Sequence, residues 1–299
     1  MKSFMLTRRD GAPLLGYRAG TSGPALALAN GLGGPVSAFR HQIEHFERGF
    51  RVVTWDYRGL YGSRGDAPPD RVDVGAQAAD LEDLLRSITD EPAVVVGWSM
   101  GVQVALELVR VAPERVRALV LVSGTYGRPM TNLRVPRAER WLPELIERVR
   151  PYHAVGSRLV ALAARSRRAA DLVRRLGFVN PRLETETLLA LAREFKELDF
   201  DVYLRTLAAL ERHDTAARLA AVKQRTLVVA GERDPLFSPR VARDLSERLP
   251  HAELYVVPRA THYAPLEFPE LVNARIDAFL AEILRPGVAT PAAASSLVD

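Results

Sequence analysis

The sequence predicts an α/β chain built on a mostly parallel, doubly wound sheet, and three observations carry that prediction. Short apolar runs alternate with stretches of helical period up to residue 122, and the alternation resumes at 226. The run Val94-Val95-Val96 breaks at Gly97 into Gly97-Trp98-Ser99-Met100-Gly101, then continues from Val102 to Val109 with helical composition. From about 126 to 220 no convincing strand occurs, so a helical insertion follows the sixth strand. Sheets of this class receive ligands beyond the carboxyl ends of their strands.

The elements follow in order. Residues 2–8 and 13–19 read as two strands joined by a turn at Asp10-Gly11. Ala25 to Ala29 is a buried strand that runs into Asn30-Gly31-Leu32-Gly33-Gly34-Pro35, and Phe39 to Phe46 is a short helix. The strand Arg51 to Trp55 leads into the turn-rich Asp56-Tyr57-Arg58-Gly59-Leu60-Tyr61-Gly62-Ser63. Val74, Ala78, Leu81, Leu85 and Ile88 then recur at helical spacing, with Asp73 placed as an N-cap. The helix after Ser99 is apolar on nearly every side and is expected to be buried. Val116 to Val122 is the sixth strand, and 226–231 and 253–257 are the last two. A final amphipathic helix carries Val272, Ile276, Phe279 and Ile283 on one stripe. The tail from Pro286, rich in Ala, Thr, Pro and Ser, is expected to be disordered.

Composition narrows the function classes. At 299 residues, 47% hydrophobic and 26% charged, the chain has the make-up of an ordinary globular protein. No apolar run reaches the length of a membrane span, and the start lacks a signal-peptide core. The absence of cysteine excludes a disulfide framework, a thiolate metal site and a cysteine nucleophile. A cytoplasmic location is the default expectation. The net charge of +5 is local, with eleven Arg against four acids between Arg134 and Arg175. That reads first as a solvated helical surface and second as attraction for anionic substrates or lipid. No nucleic-acid motif accompanies it.

Gly-Trp-Ser-Met-Gly after a pure valine strand matches the turn that forces a serine onto a strained strand-to-helix corner, making Ser99 the candidate nucleophile. Such a serine needs a base, and the base needs an orienting acid. Among six histidines, His41 and His45 have metal-like spacing without a third ligand, so no metal is expected. His153 and His213 fall in the helical insertion, and His251 precedes a strand. His262 lies just past the last strand and is the candidate base. Asp234, in Gly231-Glu232-Arg233-Asp234-Pro235, follows the 226–231 strand and is the candidate acid, with Glu232 as runner-up. The order Ser, Asp, His favours it. For an oxyanion hole, Met100 offers one backbone N–H, and the loop Asn30-Gly31-Leu32-Gly33 a second, from Leu32. A dinucleotide loop there would need glycine where Val36 stands.

Together these segments resemble the α/β-hydrolase superfamily over residues 10 to 284: Asn30-Gly31-Leu32-Gly33, Asp56-Tyr57-Arg58-Gly59, Gly97-Trp98-Ser99-Met100-Gly101, Gly231-Glu232-Arg233-Asp234 and Thr261-His262. The resemblance implies the α/β-hydrolase fold: an eight-stranded core over 1–125 and 221–285, a helical cap over 126–220, and no cofactor. It also supports Ser99, Asp234 and His262 as nucleophile, acid and base. Many relatives have His-Gly where this chain has Asn30-Gly31, and a glycine where it has Tyr61. Serine at the elbow argues against the dehalogenase and epoxide hydrolase relatives, which use a carboxylate there. The expected activity is cleavage of a carboxylic ester of a small, largely apolar substrate. Lactone, thioester, C–C and perhydrolase chemistry on the same three residues are alternatives, and ligand sensing is a reading of another class. The oligomeric state is not readable.

Overall fold

The computed structural model describes residues 1–65, 69–132 and 138–284; the tail expected to be disordered lies outside them. Eight strands form one sheet: β1 (Lys2–Thr7), β2 (Pro13–Ala19), β3 (Ala25–Ala29), β4 (Arg51–Trp55), β5 (Ala93–Trp98), β6 (Val116–Val122), β7 (Arg225–Gly231) and β8 (Ala252–Val257). Their order is β1-β2-β4-β3-β5-β6-β7-β8. β1 pairs antiparallel with β2, and β2 antiparallel with β4; every pairing from β4 through β8 is parallel. The chain direction across the sheet reverses at β3, flanked by β4 and β5. The crevice beyond the carboxyl ends of β3 and β5 is therefore the expected place for a ligand.

Eleven α-helices complete the described chain: α1 (Arg40–Phe46), α2 (Val74–Ile88), α3 (Met100–Val111), α4 (Ala138–Val149), α5 (His153–Ala163), α6 (Arg167–Arg175), α7 (Thr185–Phe195), α8 (Phe200–Arg212), α9 (Pro239–Arg248), α10 (Ala264–Glu267) and α11 (Pro269–Ile283). The segment expected as one helix over 39–46 divides into a 3₁₀ turn, Val36–Phe39, and α1. The Asp73 carboxylate accepts from the Ala76 N–H, so α2 starts at the cap its sequence indicates.

The parallel strands are buried on both faces, which explains their unbroken Val and Ala runs. Successive residues of β5 point to opposite layers. Val95 packs with Leu81, Val104 and Leu245 from α2, α3 and α9, while Val94 and Val96 pack with Ile43, Ile276 and Phe279 from α1 and α11. Val272, Ile276 and Phe279 of the predicted stripe are all buried.

Between β6 and β7 the described chain is helical, α4 to α8, with its own small cluster of Met130, Ile146, Leu204 and Ala208. Its two ends run together. Gly127 bridges Asp214, the Arg128 N–H reaches the His213 carbonyl at 3.1 Å, and the Thr215 N–H reaches the Tyr126 carbonyl at 3.0 Å.

Candidate active site

Ser99 sits between β5 and α3 at φ 57° and ψ −115°, a conformation costly for a residue with a side chain. Tertiary contacts over-determine it. Its N–H donates to the Val122 carbonyl at 2.9 Å, and the flanking glycines leave room for nothing larger. A Cβ on Gly97 would lie 2.3 Å from the Gly101 carbonyl oxygen, and one on Gly101 only 2.0 Å from that of Ala29. Close packing of strand, corner and helix thus requires glycine at both places. Met100, first residue of α3, carries one of the N–H groups that a helix start leaves without an intrahelical acceptor.

The loop after β3 lies against this corner. A Cβ on Gly31 would stand 3.3 Å from the Ser99 Cβ and 3.8 Å from its hydroxyl oxygen. Asn30 holds the loop from behind: its Oδ1 accepts from the Gly31 N–H at 2.8 Å, and its Nδ2 donates to the carbonyls of Gly34 and Pro35. The side chain that replaces the histidine of relatives therefore folds the loop onto itself. Two phenols add to this. Tyr57 donates to the Asn30 carbonyl and Tyr61 to the Gly33 carbonyl, each at 2.6 Å. Leu32 is carried between these anchored points, partly buried.

Asp234 and His262 arrive from the ends of β7 and β8. The imidazole Nδ1 is 3.0 Å from Asp234 Oδ2. The other carboxylate oxygen accepts from the N–H groups of Leu236 and Phe237 at 2.8 and 2.9 Å. Both oxygens of this buried carboxylate are thus held, as an acid that orients a ring requires. Nε2, on the other edge of the ring, has no hydrogen-bond partner among the described residues. Trp98, Phe237 and Tyr263 surround the imidazole with ring centroids 5.6 to 5.8 Å away. The indole N–H of Trp98 donates to the His262 carbonyl at 3.0 Å. Glu232 instead accepts from the Arg259 N–H at 2.8 Å.

The other histidines lie elsewhere: His45 pairs with Asp277 at 2.7 Å, and His213 lies 4.0 Å from Glu107. No cluster of three metal-ligating side chains occurs among the described residues.

The sequence model of the alpha/beta hydrolase fold matches residues 24–269. The chain belongs to that family. This α/β hydrolase is 31% identical over 282 residues to the polyketide synthase ThaQ of Burkholderia thailandensis; the match covers 92% of the chain but spans only 12% of that synthase. To the RutD protein of Agrobacterium fabrum it is 25% identical over 88% of the chain and 95% of RutD. Among solved structures it resembles the enol-lactonase of Burkholderia xenovorans, with a TM-score of 0.74 at 22% identity over 93% of this chain and all of that one. A thermophilic esterase of Thermogutta terrifontis gives a TM-score of 0.73 at 23% identity, over 95% and 99%. At such identities the two structures establish shared architecture.

Several supports of the candidate site carry no pattern in the sequence. Glu267 of α10 is buried and accepts from the Thr261 N–H at 2.7 Å, the Thr261 hydroxyl at 2.6 Å and the Asn180 N–H at 2.7 Å. One carboxylate thereby joins the loop of His262 to the helical insertion. Arg58 grips Asp80 with two nitrogens at 2.6 and 2.7 Å and reaches Asp10 at 2.9 Å, fixing the loop that carries Tyr57 and Tyr61. Burial pushes the Asp80 carboxyl up, against the pull of Arg58 and Arg8. Above Gly33 the insertion supplies an apolar roof: a Cβ there would meet Phe195, Leu198 and Tyr203 at 2.7 to 3.0 Å.

Proposed function

We propose that this enzyme is a serine hydrolase that cleaves a carboxylic ester of a small, largely apolar substrate through an acyl-enzyme. The observation that carries the reading is the strained Ser99 corner beside the Gly31 loop, at the sheet edge where Asp234 orients His262. In this reading His262 Nε2 takes the Ser99 hydroxyl proton as the oxygen attacks the ester carbonyl. The oxyanion is met by the N–H groups of Met100 and Leu32. His262 then gives its proton to the departing alcohol, which leaves Ser99 acylated. A water, deprotonated by the same nitrogen, attacks the acyl carbonyl; the carboxylic acid departs as Ser99 recovers its proton. The helical insertion acts as a cap, and its apolar roof at Phe195, Leu198 and Tyr203 supports the preference for apolar acyl groups.

Turnover of a p-nitrophenyl ester panel, together with fluorophosphonate labelling and mapping of the modified residue, tests the proposal. The label is expected on Ser99, and Ser99→Ala should lose ester turnover while melting like the parent. Asp234→Asn should lower kcat by about 10⁴, the cost of the wrong imidazole tautomer in a protease triad. Labelling elsewhere, or full activity in Ser99→Ala, would refute it.

A further inference from the structure

We propose that the outward face of α5 and α6 docks the enzyme on an anionic lipid surface. Ten of the exposed large apolar side chains of the described residues lie between Trp141 and Phe178, within the helical insertion. Tyr152, just before α5, is 67% exposed, and the leucines along α5 and along and just past α6 are similarly open. Leu159 and Leu162 are 62% and 69% exposed, and Leu172 and Leu176 are 56% and 60% exposed. Isolated exposed leucines are ordinary, but runs of this exposure recurring along one face of each helix mark a contact surface.

The spacing puts basic groups on the same face. On α5, Val155, Leu159 and Leu162 recur at i, i+4 and i+7, with Arg158 among them and Arg165 just beyond the helix end. Along and just past α6, Arg168, Leu172, Arg175 and Leu176 follow at i, i+4, i+7 and i+8. The opposite side is committed to the protein: Gly156 faces the Phe200 ring closely, Ala164 and Ala170 are buried, and both helices pack on α7.

The guanidiniums of Arg158, Arg165, Arg168 and Arg175 are exposed and have no hydrogen-bond or ion-pair partner among the described residues. From His153 to Leu176 there are six arginines and one acid, Asp171, which already pairs with Arg174 at 3.6 Å. Exposed apolar ridges edged by unpaired arginines are complementary to a bilayer interface, where anionic headgroups lie just above acyl chains. A second copy of this face would bring the same four cations together, which disfavours self-association. No helix among the described residues is long and apolar enough to cross a membrane, so the contact is peripheral.

Co-sedimentation of the full chain with phosphatidylcholine vesicles, with and without phosphatidylglycerol, tests this without reference to catalysis. The chain should pellet with the anionic vesicles, less so at high salt. Replacing Arg158, Arg165, Arg168 and Arg175 by Gln should weaken that binding at least tenfold, since each cation near such a surface contributes about fivefold. Leu159→Asp with Leu162→Asp should abolish it, with turnover of a water-soluble ester unchanged. A chain that stays in the supernatant, or a Gln variant that pellets like the parent, would overturn the proposal. So would a dimer that the Asp substitutions dissolve in the absence of vesicle binding, or saturable capture of an acidic protein without lipid binding.

Discussion

Trp98 donates its indole N–H to the main-chain carbonyl of His262 at 3.0 Å, so the residue preceding Ser99 holds the loop that carries the imidazole. The same indole packs edge-on against Phe39 and Tyr263. Trp98→Phe keeps an aromatic ring but leaves that buried carbonyl unpaired, at a cost of about 1–2 kcal/mol. A ring free to drift also loses attack geometry, so kcat should fall roughly tenfold with little change in KM. Thermal melts and steady-state ester kinetics check the two effects together, and an unchanged kcat would show the tether to be dispensable.

Two glycines near Ser99 should behave differently. Gly101→Ala directs a methyl at main-chain oxygens of Ala29 and Asn30, which cannot swing aside. A loss of about 3 kcal/mol in stability is expected, measured by urea unfolding. Gly31→Ala places its methyl 3.3 Å from the Ser99 Cβ, a contact that small adjustments relieve. That variant should fold near normally yet turn over poorly, because the crowding falls where the substrate carbonyl would sit.

Tyr61 holds a left-handed φ of 45° and donates to the Gly33 carbonyl, and burial pushes its phenol well above the ordinary range, so it remains a donor at any working pH. Tyr61→Phe keeps the ring and removes the donor. The expected result is a fall in kcat larger than the loss in stability warrants, because the loop bearing the Leu32 N–H slackens. Comparing kcat with the melting shift distinguishes this from a general loss of fold.

Acid should weaken the fold through two histidines outside the site. Burial lowers the His213 pKa, against the pull of Glu107, Asp214 and Asp73 and with that of Arg110. Burial, then Arg40, lowers that of His41, while Glu44 and Glu270 pull the other way. Each is more readily protonated in the unfolded chain than in the folded one. The unfolded state therefore binds more protons below about pH 6.5, and stability falls as pH drops through that region. Melting curves from pH 8 to 5 should show the decline, and His213→Asn should flatten it (about 6.5 being the unperturbed imidazole value).

The sheet was readable because its elements obey local rules. Valine runs buried on both faces, the Asp73 cap and the glycines around Ser99 each leave a local signature. Ser99, Asp234 and His262 are candidates because loops at strand ends form the crevice of such a sheet, and the fold does bring Asp234 against His262. What escaped depends on partners distant in the chain. The Trp98 bond to His262 spans 164 residues, and Glu267 reads as an ordinary charge beside the last helix until Thr261 and Asn180 are folded around it. Within the insertion, amphipathic period reveals a face for each short helix but not which neighbour that face meets. The roof over Gly33 was accordingly out of reach.

Gly127 and Asp214 pair where the insertion leaves and rejoins the sheet, so its two ends form a short antiparallel stem, with further ties to the core at Phe178 and Asn180. Material grafted onto such a stem can be lengthened, shortened or replaced without redrawing the register of β6 against β7. Under the proposed function, selectivity and chemistry then answer to separate stretches of gene, and a lineage can retune what it admits while leaving untouched how it reacts.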